Sequence, residues 1–467
     1  MIRLLPPYSF LLIALALSAC ARSEEIDSSA REVAFLSEDE NLIIAFKRTG
    51  QVEFLAPIEE GTCYLLGTGS YDADRLIDHD GTIYGYEIEG AELYLDDPTH
   101  DLLTGVYRRV NLRSICQARQ PDPGENSASV QPLPLSGIEG SGATKKRSAE
   151  FDVDEDTIAI SVYLFGREVG TRARPTAFLA PDGGNLLVEL PDISFCDAGY
   201  CALMLPRNEA IPVEPGRYRV EISGPEEYLE EIDARLATRK GAVFDRTRIP
   251  LRTVVASTTL TDDEIDQTID GIVASFEASP YAIELTPTEV VRADAKYAEI
   301  VADFRSAAIE ELFALGDAKA LNLFLIDRAV GIPGLLGLAA GIPSSQGIRG
   351  PFNGVIVAVQ THRTGAGVLS TEVLADSSAH ELGHALGLFH TTEEDGLLHD
   401  PIADTPECLP EHDINGDGSL TAKECEALDG FNMLFWTPVY EDGTFAKQDE
   451  ISIEQADVLR HAIIGVE

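Results

Sequence analysis

Four residues and a glycine in the run His380-Glu381-Leu382-Gly383-His384-Ala385-Leu386-Gly387-Leu388-Phe389-His390 can do metal chemistry together. On a helix, His380 and His384 lie four residues apart and share a face, where both imidazoles can bind one ion. Glu381 lies one position round, where its carboxylate can approach water at that ion without ligating. Gly387 can leave the helix with positive φ and turn the chain so that His390 supplies a third nitrogen. Three imidazoles leave one position of a tetrahedral zinc open, as a catalytic site requires, although the donor set also suits other transition ions. His362 and His399 fall outside this spacing and read as loop histidines.

A second cation site is expected at Asp413-Ile414-Asn415-Gly416-Asp417-Gly418-Ser419-Leu420-Thr421-Ala422-Lys423-Glu424. This run, 413–424, matches an EF-hand calcium loop in its acidic, glycine and apolar positions. Asp413, Asn415 and Asp417 would ligate through side chains, Ser419 through its carbonyl, Thr421 through water and Glu424 through both oxygens. The alternative is an acidic turn without an ion. No second loop is found to pair with it. Cys408 and Cys425 flank it, and a bridge between them would close a loop for which chain entropy predicts roughly 3 kcal/mol of stabilisation.

The elements that must position these groups lie in 226–467, where the pattern becomes strands alternating with amphipathic helices. Ile249–Ala256 reads as a strand. Thr261 and Glu264 form a capping box for a helix with Ile265, Ile269, Ile272, Val273 and Phe276 on one face. A helix is expected over 294–315, then a strand at Leu321–Ile326, a glycine-rich loop over 331–350 and a strand at 354–359. The histidine helix starts near Ser370 or Thr371, with Leu382, Ala385 and Leu386 as its anchor.

With these residues in view, HExxHxxGxxH resembles the signature of the metzincin metallopeptidases. The surroundings look most like the pappalysin-type branch: Gly341-Ile342-Pro343, Gly387 through Glu393, Asp404-Thr405-Pro406-Glu407-Cys408, Asn432-Met433-Leu434-Phe435-Trp436, and a closing helix near Ser452–Ile464 capped by Ser452 and Gln455. The resemblance covers roughly 330–467. It implies zinc-dependent hydrolysis of peptide bonds in extracellular proteins, with Glu381 as general base and a methionine turn beneath the metal. Here the pattern departs. Leu434 occupies the methionine slot and Met433 sits one place early, so the floor is either Met433 after a local shift or Leu434 as an equivalent apolar residue. Val355–Val359 could be the sheet edge along which an extended substrate adds, or an ordinary core strand. Tyr440 is a candidate for stabilising the oxyanion.

The remainder of the chain reads as export signal and accessory modules. Residues 1–19 have the layout of a signal peptide, with Arg3 before the apolar run Phe10–Leu17. Leu17-Ser18-Ala19-Cys20 resembles a bacterial lipobox, which implies acylation of Cys20 and, since Ala21 follows, outer-membrane sorting; an ordinary cleaved signal is the alternative. A tether over 20–33, a small β module over 34–116, a Pro/Gly/Ser-rich linker over 117–149 and a β-sandwich-like module over 150–225 follow. Beyond Cys20, six cysteines remain, and an even number in an exported chain points to disulfides. The sequence-local couples are Cys63–Cys116, Cys196–Cys201 and Cys408–Cys425.

The expected fold class is therefore multidomain: two N-terminal β modules and a C-terminal α/β metzincin-like catalytic domain. The 467 residues carry a formal charge of -44, so the average surface repels nucleic acid, and no nucleic-acid partner is expected. The expected partners are a protein or peptide substrate and a membrane reached through the lipid anchor. A competing reading is a calcium-stabilised binding or adhesion lipoprotein with a silent metal site, against which the intact Glu381 argues.

Overall fold

The computed structural model describes residues 32–37, 42–47, 51–58, 62–71, 75–77, 83–89, 92–96, 105–110, 127–140, 144–190, 193–197, 199–208, 211–241, 243, 247–278, 283–441 and 444–465. Residues 1–19, Cys20 and Cys116 lie outside this set, as do the side chains of Cys63 and Tyr440. The chain divides into two compact units, 1–120 and 121–467.

In the first unit, strands β1 (Glu32–Ser37), β2 (Ile43–Lys47), β3 (Gln51–Ile58), β4 (Thr62–Tyr71), β5 (Arg75–Ile77), β6 (Ile83–Glu89), β7 (Glu92–Asp96) and β8 (Gly105–Val110) close into an antiparallel barrel. The β8 strand returns to β1, with Phe35 opposite Arg109, so the barrel has no open edge.

The second unit begins with two packed antiparallel sheets. One has the order β10 (Lys145–Val153), β15 (Gly216–Gly224), β12 (Arg174–Leu179). The other has the order β13 (Ser194–Asp197), β14 (Tyr200–Leu205), β11 (Thr157–Phe165), β16 (Asp233–Lys240), β9 (Ser127–Pro132). Inward residues of both, including Phe151, Val162, Phe178, Leu203, Tyr218 and Leu236, form one core, the signature of a sandwich.

These strands correct two boundaries. The segment 117–149 is not a linker throughout: β9 is an exposed edge strand, whose polar residues give no apolar alternation. Lys145-Lys146-Arg147 opens β10, where Arg147 donates to the Ser136 and Leu229 carbonyls. Nor does the sandwich end at 225, because β16 pairs with β11 at its centre.

The α/β half has the sheet order β18 (Ile283–Arg292), β17 (Thr247–Val255), β20 (Leu321–Ile326), β23 (Val355–Ala358), β22 (Gly337–Ala339). The first four are mutually parallel and β22 is antiparallel to β23. Helix α1 (Asp262–Glu277) starts with the expected Thr261/Glu264 capping box. The helix expected over 294–315 is instead a 3-10 turn, a short strand β19 (Glu299–Val301) that pairs with β21 (Arg328–Val330), and α2 (Ala307–Phe313) capped by Ser306. Tyr297, Ile300, Phe304 and Leu312 still point inward, but from separate elements and the loop between them, whereas Val301 is exposed.

Helix α3 (Thr371–Leu386) lies beneath the sheet with Leu374, Leu382 and Leu386 in the main core, together with α4 (Ile453–Arg460). Val355–Val359 is not an edge strand: β23 lies between β20 and β22, and all its residues are buried. The edge is β22. Among the described residues, no helix is long and apolar enough to cross a membrane.

Candidate metal centre

Ser370 caps α3 by accepting from the Val373 N–H, and the helix runs to Leu386. Gly387 then adopts φ 117, a left-handed conformation that glycine takes without Cβ strain, and the chain reverses toward His390. The three imidazoles meet. Nε2 of His380 lies 3.1 Å from Nε2 of both His384 and His390.

Each ring is oriented from behind. Nδ1 of His380 donates to the Met433 carbonyl at 2.8 Å, and Nδ1 of His384 donates to the Leu388 carbonyl at 2.7 Å. Nδ1 of His390 faces Oε1 of Glu393 at 3.0 Å. With every Nδ1 proton committed to an oxygen, every Nε2 presents a lone pair to the same point. Lone pairs so close repel in the absence of a cation, and a shared cation turns that repulsion into coordination. Nitrogens about 2.0–2.1 Å from a tetrahedral zinc lie about 3.3 Å apart, so the observed separations fit that ion.

Burial keeps the His380 and His384 rings neutral. It pushes His380 down to about 3, with the neighbouring His390 adding to the effect, and holds His384 well below the usual imidazole range. Glu381 is pushed up to about 8 by withdrawal from water, partly offset by a hydrogen bond from the Ala339 backbone. That bond ties the carboxylate to the edge strand. Gly337 in the same strand leaves room for it: a Cβ there would stand 2.8 Å from Oε1 of Glu381. His380, Glu381 and His390 remain partly exposed while His384 is buried, so one side of the site is open.

The segment after the helix forms the floor. Leu434 packs against Gly383 of α3, where a Cβ would meet its side chain at 2.9 Å. Met433 contributes its carbonyl to His380, and both residues are buried in the main core. Asn432 and Gln455 exchange amide hydrogen bonds at 2.8 and 3.1 Å, fastening this turn to α4. The Thr391 N–H donates to the Leu434 carbonyl at 3.1 Å, joining the turn to the residue after His390.

The loop 413–424 folds around its acidic side chains. Asp413 accepts from the Gly416 and Gly418 N–H groups at 2.7 and 2.8 Å. Asn415 and Asp417 accept from Asp417 and Ser419 N–H groups. Glu424 receives the Ile414, Asn415 and Thr421 N–H groups. Among the described residues, donors within 4.8 Å of one another occur at the histidine trio and at Cys408, Cys425 and Asp429; the loop carboxylates are spread wider. The two cysteines are joined in a disulfide, as are Cys196 and Cys201. Leu420 is buried beside the first bridge, with its N–H on the Glu394 carbonyl and its carbonyl on Trp436 Nε1, both at 2.7 Å.

His362 and His399 stay out of the trio. His362 is not on an open loop but in a buried 3-10 turn, between the Ala358 carbonyl and Ser377 Oγ. Glu393 and Gly337 had no assigned role in the sequence; the signal for Glu393 was its position three residues after His390.

No protein-family model matches the chain, and no curated protein matches it. Among solved structures, metalloproteinase-II from Bacteroides fragilis aligns over 75% of this chain and 80% of its own, at 12% identity and a TM-score of 0.22. A structure of manganese lipoxygenase of Gaeumannomyces graminis with partial zonadhesin of Komagataella pastoris aligns over 48% of this chain and 66% of its own, at 12% identity and a TM-score of 0.08. Likeness this slight carries no weight for fold or activity, which rest on the side chains themselves.

Proposed function

We propose that this chain is a zinc-dependent endopeptidase. The observation that carries the reading is the convergence of three Nε2 lone pairs beside Glu381, each ring locked from behind by an oxygen acceptor. Bound zinc would supply Lewis acidity, polarising the scissile carbonyl and acidifying water. His380, His384 and His390 would hold it. Glu381 would take a proton from the attacking water and deliver it to the leaving amine.

The open edge of β22 would take an extended substrate as an added strand, with backbone pairing giving affinity. This edge lies next to Glu381, through the Ala339 N–H and Gly337. Calcium in 413–424 would be structural, bracing the segments on either side of Leu420. Export and acylation at Cys20 would put the activity outside the cell, at the outer membrane or cell surface.

The test is cleavage of casein by the full purified chain with and without a chelator, alongside metal analysis. The expected result is bound zinc and chelator-sensitive cleavage that is lost in Glu381→Ala. Zinc bound without cleavage would favour a silent binding protein. Equal cleavage by both forms would assign it to something other than this site.

A further inference from the structure

We infer that Arg207 of the sandwich is a positioning residue for the third histidine; this rests on the zinc reading above. Arg207 follows β14, is 1% exposed, and reaches into the α/β half. Its Nη1 donates to the Gly387 carbonyl, and its Nη2 donates to the Ile342 carbonyl at 3.1 Å. Its guanidinium carbon stands 4.9 Å from the Phe389 ring centroid, within cation–π range. Gly387 and Phe389 belong to the turn that carries the chain from α3 to His390. On the same side, a Cβ at Gly387 would stand 2.7 Å from Met204 Sδ, so the sandwich fills the space against this turn.

The other end of the clamp leads to His384. Ile342 opens a segment in which Ser344 N and Oγ and Gln346 Nε2 all donate to the Ala385 carbonyl, at 3.0, 3.2 and 3.0 Å. Tyr200 of β14 holds the intervening Pro343 carbonyl at 2.8 Å. One guanidinium thus links the turn before His390 to the segment that grips α3 beside His384. A planar fork with fixed donors sets two carbonyls relative to each other, which a lysine ammonium does not do. Arg207 is buried and meets the turn through Gly387 and Phe389, so it would act through the placement of the ligands.

The experiment uses the full chain with R207M, R207K and R239M. Arg239 is equally buried on the same sheet, but it donates to the Arg460 and Ala462 carbonyls near the end of α4, not to the histidine turn. Zinc affinity is measured by competition with a chromophoric chelator, and the melting temperature is measured on zinc-free protein. Loss of groups that orient metal ligands typically weakens metal binding about 10- to 100-fold, and that loss is expected for R207M and R207K. R239M is expected to melt lower with zinc affinity unchanged. If R207M does not fold, R207K carries the test, since it keeps the charge and most of the buried stem. Unchanged zinc affinity in a folded Arg207 variant overturns the inference while leaving the zinc reading intact, as does equal weakening in R239M. A wild-type chain that binds no zinc overturns both.

Discussion

Glu393 accepts the Nδ1–H of His390 across 3.0 Å, and this bond holds its carboxyl below the usual range. A carboxylate behind a ligating imidazole fixes the ring's tautomer and raises its basicity. Glu393→Ala is therefore expected to weaken zinc binding about 10- to 100-fold, with Glu393→Gln, which keeps an acceptor but loses the charge, in between. Chelator competition measures both. Identical affinities across the three proteins would mean that the Gly387 turn alone sets the ring.

Gly337→Ala tests whether the edge strand governs the base. The added Cβ would collide with the Glu381 side chain, meeting Cγ first and then Oε1 at 2.8 Å and Cδ at 2.9 Å, so its three nearest atoms all belong to the base. Zinc content should stay at the wild-type level while kcat falls by about 100-fold or more, the scale of a lost general base. A parallel loss of zinc would show that the substitution had disturbed the helix instead.

The floor under α3 offers a comparison between Met433 and Leu434. The side chain of Leu434 meets Gly383, whereas Met433 serves His380 through its backbone carbonyl. Leu434→Met conserves volume and should cost less than about 1.5 kcal/mol. Leu434→Ala should cost about 2–5 kcal/mol, since it opens a cavity under a packed helix. Denaturant melts of the zinc-free protein measure the two, and equal costs would place the floor elsewhere.

The histidine helix was legible because its signals are local: Ser370 as cap, the four-residue histidine spacing, Gly387 as exit. The capping boxes at Thr261 and Ser452 were legible for the same reason. What escaped is set by distant partners. Ser127–Pro132 becomes a strand only because β16 offers it an edge, and its own residues carry no apolar alternation. Ile300 and Phe304 fit one helical face, yet strand pairing with 328–330 and the Ser306 cap divide the segment. Arg207 meets Gly387 across 180 positions, and no local pattern announces such a contact.

His362 gives a pH prediction free of the metal. Burial pushes its imidazole down to about 4, against about 6.5 in an unfolded chain. Between these values the unfolded chain holds a proton that the native state refuses, so native stability falls as pH drops through that window, by at most about 1.4 kcal/mol per unit. His362→Gln removes this share. Its stability deficit relative to wild type should be largest near neutrality and shrink toward acid in denaturant titrations; a constant deficit would mean that His362 does not resist protonation.

Calcium should act on the zinc site at a distance, through Leu420. The loop 413–424 reaches Glu394, four residues after His390, through the Leu420 N–H, and Trp436, two after Leu434, through its carbonyl. Ordering the loop around an ion thus steadies the third-ligand segment and the floor together. Millimolar calcium, the range of extracellular sites, is expected to raise the melting temperature of wild type. Glu424→Gln, which loses charge at the position expected to ligate through both oxygens, should respond only at higher calcium. Because Glu424 also receives three loop N–H groups, the variant is expected to melt lower without calcium, so the reading is the calcium-induced shift in each protein. An equal shift in both would place the ion outside this loop, and no shift in wild type would leave the loop as a hydrogen-bonded acidic turn.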